Sequence, residues 1–115
     1  MNDARARGQA AEAQARAFLE RRGLAWVEGN YHCRGGEIDL VMRDGDTLVF
    51  VEVRYRRGDR FGGALASIDR RKQVRLLHAA THYLQRRAVR APARIDVVAL
   101  DGDGHIEWIQ NAIQS

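Results

Sequence analysis

The stretch from Glu37 to Arg56, EIDLVMRDGDTLVFVEVRYR, constrains the fold more than any other part of the chain. It alternates around one turn signal, Asp44-Gly45, and so predicts two antiparallel strands joined as a hairpin. The second strand, Leu48 to Tyr55, is rich in Val and Phe, as a sheet centre should be. Yet Glu52 stands in its middle, and Asp39 stands in the middle of its partner. Taking an ionised carboxylate out of water costs several kcal/mol unless a cation or hydrogen-bond donors meet it. Any fold for this chain has to answer for both acids.

Strand parity sharpens the constraint. Side chains alternate, so Asp39 shares a face with Glu37 and Val41, and Glu52 shares one with Phe50 and Arg54. A two-residue Asp44-Gly45 loop sets Asp39 opposite Phe50, with Glu52 as its diagonal neighbour. A four-residue loop sets Asp39 directly opposite Glu52. Either register puts both acids on one face; only a bulged, odd-numbered loop changes that.

The rest of the chain supplies the frame. Asp3 to Arg22, rich in Ala, Glu and Arg, predicts a helix that stops at Gly23. Leu24–Asn30 is a short strand candidate, Gly35-Gly36 opens the hairpin, and Gly58–Ala64 reads as a loop. Ser67 is the expected N-cap of a second helix to about Arg87, with Val74, Leu77, Thr81 and Leu84 on one stripe. Pro92 precedes a strand at Arg94–Leu100, and the turn Asp101–Gly104 leads into an edge strand at His105–Gln110. The order α-β-β-β-α-β-β predicts an α/β fold, a central mixed β-sheet flanked by helices. A chain of 115 residues has room for one core, so residues 1–115 are expected to form a single domain. No apolar run approaches the ~20 residues that span a bilayer, and the N-terminus lacks the apolar centre of a secretory signal. A lone cysteine, Cys33, fits a reduced, cytoplasmic setting.

A third acid is expected to join the pair. Glu12 precedes Ala15 and Leu19 by three and seven residues, which places it on the small, apolar face of the first helix with Gly8, Ala11 and Ala15. Three converging carboxylates repel, and their pKa values rise. A hard divalent ion such as Mg²⁺, held by oxygen ligands, relieves that repulsion. So does an ion-pair network of Glu12, Asp39, Glu52 and Arg54 with no chemistry attached. Spacing alone leaves both readings open.

The charge balance of +4 and pI near 10.0 point mildly to an anionic partner. Arg54, Arg56, Arg57 and Arg60 form one basic cluster; Arg70, Arg71, Lys72 and Arg75 form another. Arg56, Arg57, Lys72 and Arg75 are candidate phosphate contacts, against the plain alternative of a solvated face. Lys72 is the only lysine among nineteen basic residues. His78 and His82, at i and i+4, have metal-ligand spacing, but exposed helix histidines have the same pattern. Trp26, Tyr31 and Trp108 are candidates for base stacking, against core or rim packing.

GEIDLV, FVEVRYR, the solitary Lys72 and RIDVV together resemble the YraN family of small bacterial proteins. That family resembles in turn the PD-(D/E)xK nuclease superfamily, with its restriction endonucleases and Holliday-junction resolvases. The likeness extends from Gly8 and Glu12 to Asn111-Ala112. It implies a sheet flanked by helices, Mg²⁺- or Mn²⁺-dependent phosphodiester hydrolysis, a nucleic-acid partner (DNA before RNA), no membrane, and a homodimer by analogy. Carried over by position, Asp39, Glu52 and the backbone carbonyl of Val53 would be metal ligands. Glu12 would bind metal directly or through water, and Arg54 would stand where the superfamily has its catalytic lysine. Arginine supplies charge but is a poor proton acceptor. Three explanations stay open: metal alone acidifies the attacking water, Lys72 supplies the ammonium from the second helix, or catalysis is lost and only binding remains.

Overall fold

The computed structural model describes residues 3–56, 66 and 68–114. Its elements run α1 (Asp3–Arg21), β1 (Ala25–Cys33), β2 (Gly36–Asp44), β3 (Thr47–Arg56), α2 (Arg70–Arg86), β4 (Ala93–Asp101) and β5 (Ile106–Ile113). The five strands form one sheet in the order β1-β2-β3-β4-β5. β3 and β4 are parallel, with α2 in the crossover between them, and the other neighbours are antiparallel. This is the α/β architecture and element order expected from the sequence.

Alternation along β3 divides the core in two. Leu48 and Phe50 face α2 and pack with Leu76, Ala79, Ala80 and Tyr83. Val49 and Val51 face α1 and pack with Ala11, Ala15 and Leu19. Ala11 and Ala15 bring α1 close to the sheet, whereas a Cβ on Gly8 would meet nothing, so that glycine is not needed for the approach. Gly23, at φ +95°, closes α1: its N–H donates to Glu20 O at 3.1 Å and the Leu24 N–H to Leu19 O at 3.1 Å.

On α2 the buried stripe is Leu76, Ala79, Ala80 and Tyr83 rather than the expected Val74 and Thr81, both of which are exposed. Small alanines and one large tyrosine fit against the sheet where the stronger hydrophobicity of Val74 misleads. The N-cap is Asp69, which accepts from the Lys72 N–H at 2.8 Å; Ser67, Arg57, Arg60 and the 58–64 loop lie outside the described residues. Gly36 explains how α2 is seated. A Cβ there would fall 2.5 Å from Arg75 O and 3.1 Å from the Ala79 Cβ, so the helix backbone rests directly on the start of β2.

β2 turns at Asp39. Leu40 and Met42 lie in the α1 core, but Ile38, two residues before Leu40, lies with Tyr31 in the α2 core. Across the ladder, Asn30 takes a left-handed φ of 54° between the pairs Gly29–Leu40 and Tyr31–Ile38. The β2–β3 ladder runs from Asp44–Thr47 to Leu40–Val51. The hairpin loop is therefore Gly45-Asp46, one residue later than expected, which brings Asp39 level with Glu52.

Candidate functional site

Where the β2–β3 ladder ends, Asp39 turns its side chain to the next strand. Its Oδ2 accepts from the Val53 N–H at 2.9 Å. One residue earlier on β3, Glu52 projects to the α2 side and is only 3 % exposed. The two carboxyl groups act on each other's ionisation. Burial first, then the charge of Asp39, pushes Glu52 up to about 7, with Lys72 and Arg54 acting against the rise. Asp39 is raised too, mainly by burial, although the Val53 N–H and Glu52 favour its charged form. The pair thus holds a proton under conditions where isolated carboxylates have lost theirs.

Two cations approach Glu52 Oε2: Lys72 Nζ at 3.5 Å from α2 and Arg54 Nη1 at 3.7 Å from β3. The seating of α2 on Gly36 delivers Lys72, four residues before the buried Leu76. Both separations exceed the 2.7–2.9 Å or so of tight charge-assisted hydrogen bonds. The cations offset charge without closing around the carboxylate.

α1 brings Glu12 to the same end of the sheet. Burial raises its pKa, and the charges of Asp39 and Glu37 raise it further, while a hydrogen bond with Asn30 lowers it. Glu12 is therefore in electrostatic reach of the pair, with its hydrogen bond on β1. Glu37, not singled out from sequence, adds a further negative charge that raises Asp39. Its signal was the i, i+2 spacing in E-I-D. Glu37 pairs with His32 at 3.3 Å and lines a cleft of about 530 Å³ with Lys72 and Arg75.

The other candidates disperse. Arg56 reaches Glu107 on β5 at 3.8 Å. Tyr31 and His82 share a hydrogen bond through Nδ1, and His78 Nε2 lies 2.9 Å from Arg34 O. The two histidine rings are 6.5 Å apart between centroids, each with its own partner. Trp108 donates its indole N–H to Asp96, and Cys33 packs at the margin of the α2 core. Asp96 is the buried acid that sequence reasoning passed over inside RIDVV, where an isolated charge between valines carries no spacing signal. Among the described residues, Asp101, Asp103 and His105 also lie close enough to share an ion, but their mutual hydrogen bonds already account for the turn.

Comparison with known proteins agrees with the resemblance read from the motifs. A protein from Nitrosomonas eutropha is 52% identical over 112 residues, covering 97% of each chain. One from Cupriavidus metallidurans is 58% identical over 106 residues, 91% of this chain and 78% of its own. One from Pseudomonas putida KT2440 is 54% identical over 113 residues, 93% and 91% respectively. All three carry the name UPF0102 protein. Residues 11–100 match the profile of the "Uncharacterised protein family UPF0102", and the chain belongs to that family, the YraN family.

Proposed function

We propose that this protein is a metal-dependent endonuclease that hydrolyses phosphodiester bonds in nucleic acid, DNA ahead of RNA. The observation that carries the reading is the convergence of half-buried Asp39 and buried Glu52, level on adjacent strands and each acting on the other's ionisation, beside cations held at 3.5 and 3.7 Å. Such a convergence needs either a shared proton or a shared cation. The donor set fits Mg²⁺ or Mn²⁺: hard oxygens from two adjacent strands, with no thiolate or imidazole among them. Asp39, Glu52 and the carbonyl of Val53 would hold the ion, with Glu12 contributing directly or through water. When bound, the metal acidifies a water and draws charge from the phosphoryl oxygen.

The chain's own residues supply the rest. Glu52 and Asp39, whose pKa values are raised, would have to be deprotonated to hold the ion. Lys72 Nζ, 3.5 Å from Glu52 Oε2 and in the cleft, meets the phosphate or the attacking water in this reading. Arg54 contributes fixed charge and takes no proton. Arg75, lining the same cleft, meets the nucleic-acid backbone; Arg56 and Arg57 are the further phosphate contacts of this reading. A cytoplasmic location goes with this reading, since Cys33 is a free thiol.

A second reading, a nucleic-acid-binding module without catalysis, is favoured by one observation: the position of the superfamily's lysine holds Arg54. Single-turnover assays on branched, single-stranded and duplex DNA and on RNA separate the two. Cleavage that requires Mg²⁺ or Mn²⁺ and disappears in Asp39→Asn supports the nuclease. Salt-sensitive binding with no cleavage under either metal supports the module.

A further inference from the structure

We propose that Trp26 is a stacking platform for one unpaired nucleobase on the α1 side of the sheet, so that a substrate reaching the Asp39–Glu52 pair presents a single-stranded segment there. The proposal rests on the nuclease reading and deepens it.

Three clefts that share lining residues follow one another around the β1–β2 end of the sheet. The first, about 430 Å³ between α1 and β1, is lined by Arg16, Trp26, Glu12 and Asn30. The second, about 470 Å³, shares Glu12 and Asn30 with it and adds His32. His32 also lines the third, the cleft of Lys72 and Arg75. A strand following these clefts would pass from the indole of Trp26 to the ammonium of Lys72 by way of Glu12 and Glu37.

Trp26 is presented for stacking. It packs only partly against the α1 core. The chain makes room for it at Gly29, where a Cβ would come within 2.7 Å of the indole Cη2. That same point is 3.6 Å from Asp39 O, so the ring and the backbone of a metal-ligand candidate border one small space. The ring face is covered by a guanidinium: Arg16 Cζ lies 3.8 Å from the ring centroid, with its Nε 3.3 Å from Glu20. A guanidinium and a nucleobase are both flat stacking partners for an aromatic ring. Arg16 is a partly exposed side chain on a helix surface and can give way to a base while keeping its charge for the phosphate. A base inside a duplex cannot take this place, because both of its faces are already stacked. The selection is therefore for single-stranded or frayed substrate.

The test uses the whole chain without divalent metal, so that binding is read apart from cleavage. The probes are a short oligothymidylate and a blunt duplex with the same number of phosphates. Oligothymidylate is expected to quench tryptophan fluorescence, and the quench to vanish in Trp26→Phe, where Trp108 remains. Trp26→Leu is expected to weaken oligothymidylate binding about tenfold, the order of one lost base–aromatic stack, and to leave duplex binding unchanged; Trp26→Phe retains most of the affinity. Equal weakening toward both probes, or unchanged oligothymidylate binding in Trp26→Leu, overturns the platform and leaves the nuclease reading standing. A wild-type chain that binds neither probe overturns both. Should Trp26→Leu fail to fold, the quench and its loss in Trp26→Phe decide alone.

Discussion

Two neighbouring strands of this sheet bury acids in opposite ways. On β4, Asp96 is fully buried and its carboxylate is saturated with donors. Arg94 Nε bonds both oxygens at 3.0 and 3.2 Å, the Trp108 indole donates at 2.9 Å, and the Asn111 N–H donates at 2.9 Å. The backbone of β5 is shaped for the last of these: Asn111 takes φ 51° where the ladder shifts register. On β3, Glu52 is almost as deeply buried, yet its nearest cations stand at 3.5 and 3.7 Å and another acid, Asp39, lies level with it on β2 and raises its pKa. The first arrangement is finished by the protein itself. The second leaves charge that the protein does not balance by direct donors, and this separates a structural acid from a candidate ligand better than burial does.

The sharpest way to break the comparison is to neutralise each acid in turn. Glu52→Gln is expected to lower metal-dependent cleavage by about a hundredfold or more, from lost electrostatic stabilisation of the reacting phosphate, while leaving the fold intact or firmer. Asp96→Ala is expected to cost about 3–5 kcal/mol of stability, since Arg94 loses its buried partner, with little change in cleavage per folded molecule. Denaturant unfolding beside single-turnover cleavage reads both. The reverse pattern, with Asp96 controlling chemistry and Glu52 only stability, would sink the distinction.

Acid titration offers a second way. Because the folded-state pKa of Glu52 lies above its unfolded value, its contribution to stability is complete below about 4.5 and is lost as pH rises through about 7. Metal-free protein is therefore expected to lose stability across that window. Mg²⁺ should restore stability at pH 8 and do nothing at pH 5, where the proton occupies the pair. Thermal unfolding with and without Mg²⁺ measures this, and Glu52→Gln should flatten both the pH slope and the metal effect. A metal response that survives in Glu52→Gln would place the ion elsewhere.

Much of this contrast was legible before any coordinates. Period-two alternation fixes which strand residues share a face, so Asp39 and Glu52 converge in either even-loop register, and the observed one differs only by moving the loop to Gly45-Asp46. Glu12 was legible as a residue of the small α1 face, but not that its hydrogen bond would go to Asn30, because the left-handed turn at that asparagine has no periodic signature. The α2 stripe was misjudged for a related reason. Val74 scores as apolar, yet the close approach of α2 to Gly36 favours the alanines one turn on, and close approach depends on which backbone the helix meets. Asp96 was invisible as a structural acid because its donors come from β5 and from a neighbour on its own strand.

The same seating makes a gentler test. Gly36→Ala inserts a methyl 2.5 Å from Arg75 O, and backbone cannot yield as a flexible side chain does. Overpacking of this kind costs about 1–3 kcal/mol. It should also lift the start of α2, carrying Lys72 away from Glu52. Reduced stability together with reduced metal-dependent cleavage is the expected outcome, measured by unfolding and single-turnover rates. Lost stability with unaltered cleavage would mean that the distance between Lys72 and Glu52 does not matter to the chemistry.

The smallest expected effects decide what Lys72 is to Glu52. If it serves only as counter-charge, as Arg94 does for Asp96, then Lys72→Arg should preserve cleavage, since a guanidinium offsets the same charge. If Nζ handles a proton, Lys72→Arg should fail almost as badly as Lys72→Ala, because arginine does not release its proton at working pH. Arg54→Lys is the complementary change: it keeps the charge beside Glu52 and adds a group able to give up a proton, so cleavage should hold or rise. We expect Lys72→Ala to lower single-turnover cleavage about tenfold, Lys72→Arg to recover most of that, and Arg54→Lys to match or exceed the wild type. The geometry favours this outcome, because Lys72 and Arg54 approach the same Glu52 oxygen at nearly equal distances and share the task of balancing it. A Lys72→Arg chain as inactive as Lys72→Ala, measured across pH to show a lost ionisation, would instead make Lys72 the proton carrier and Arg54 the spectator.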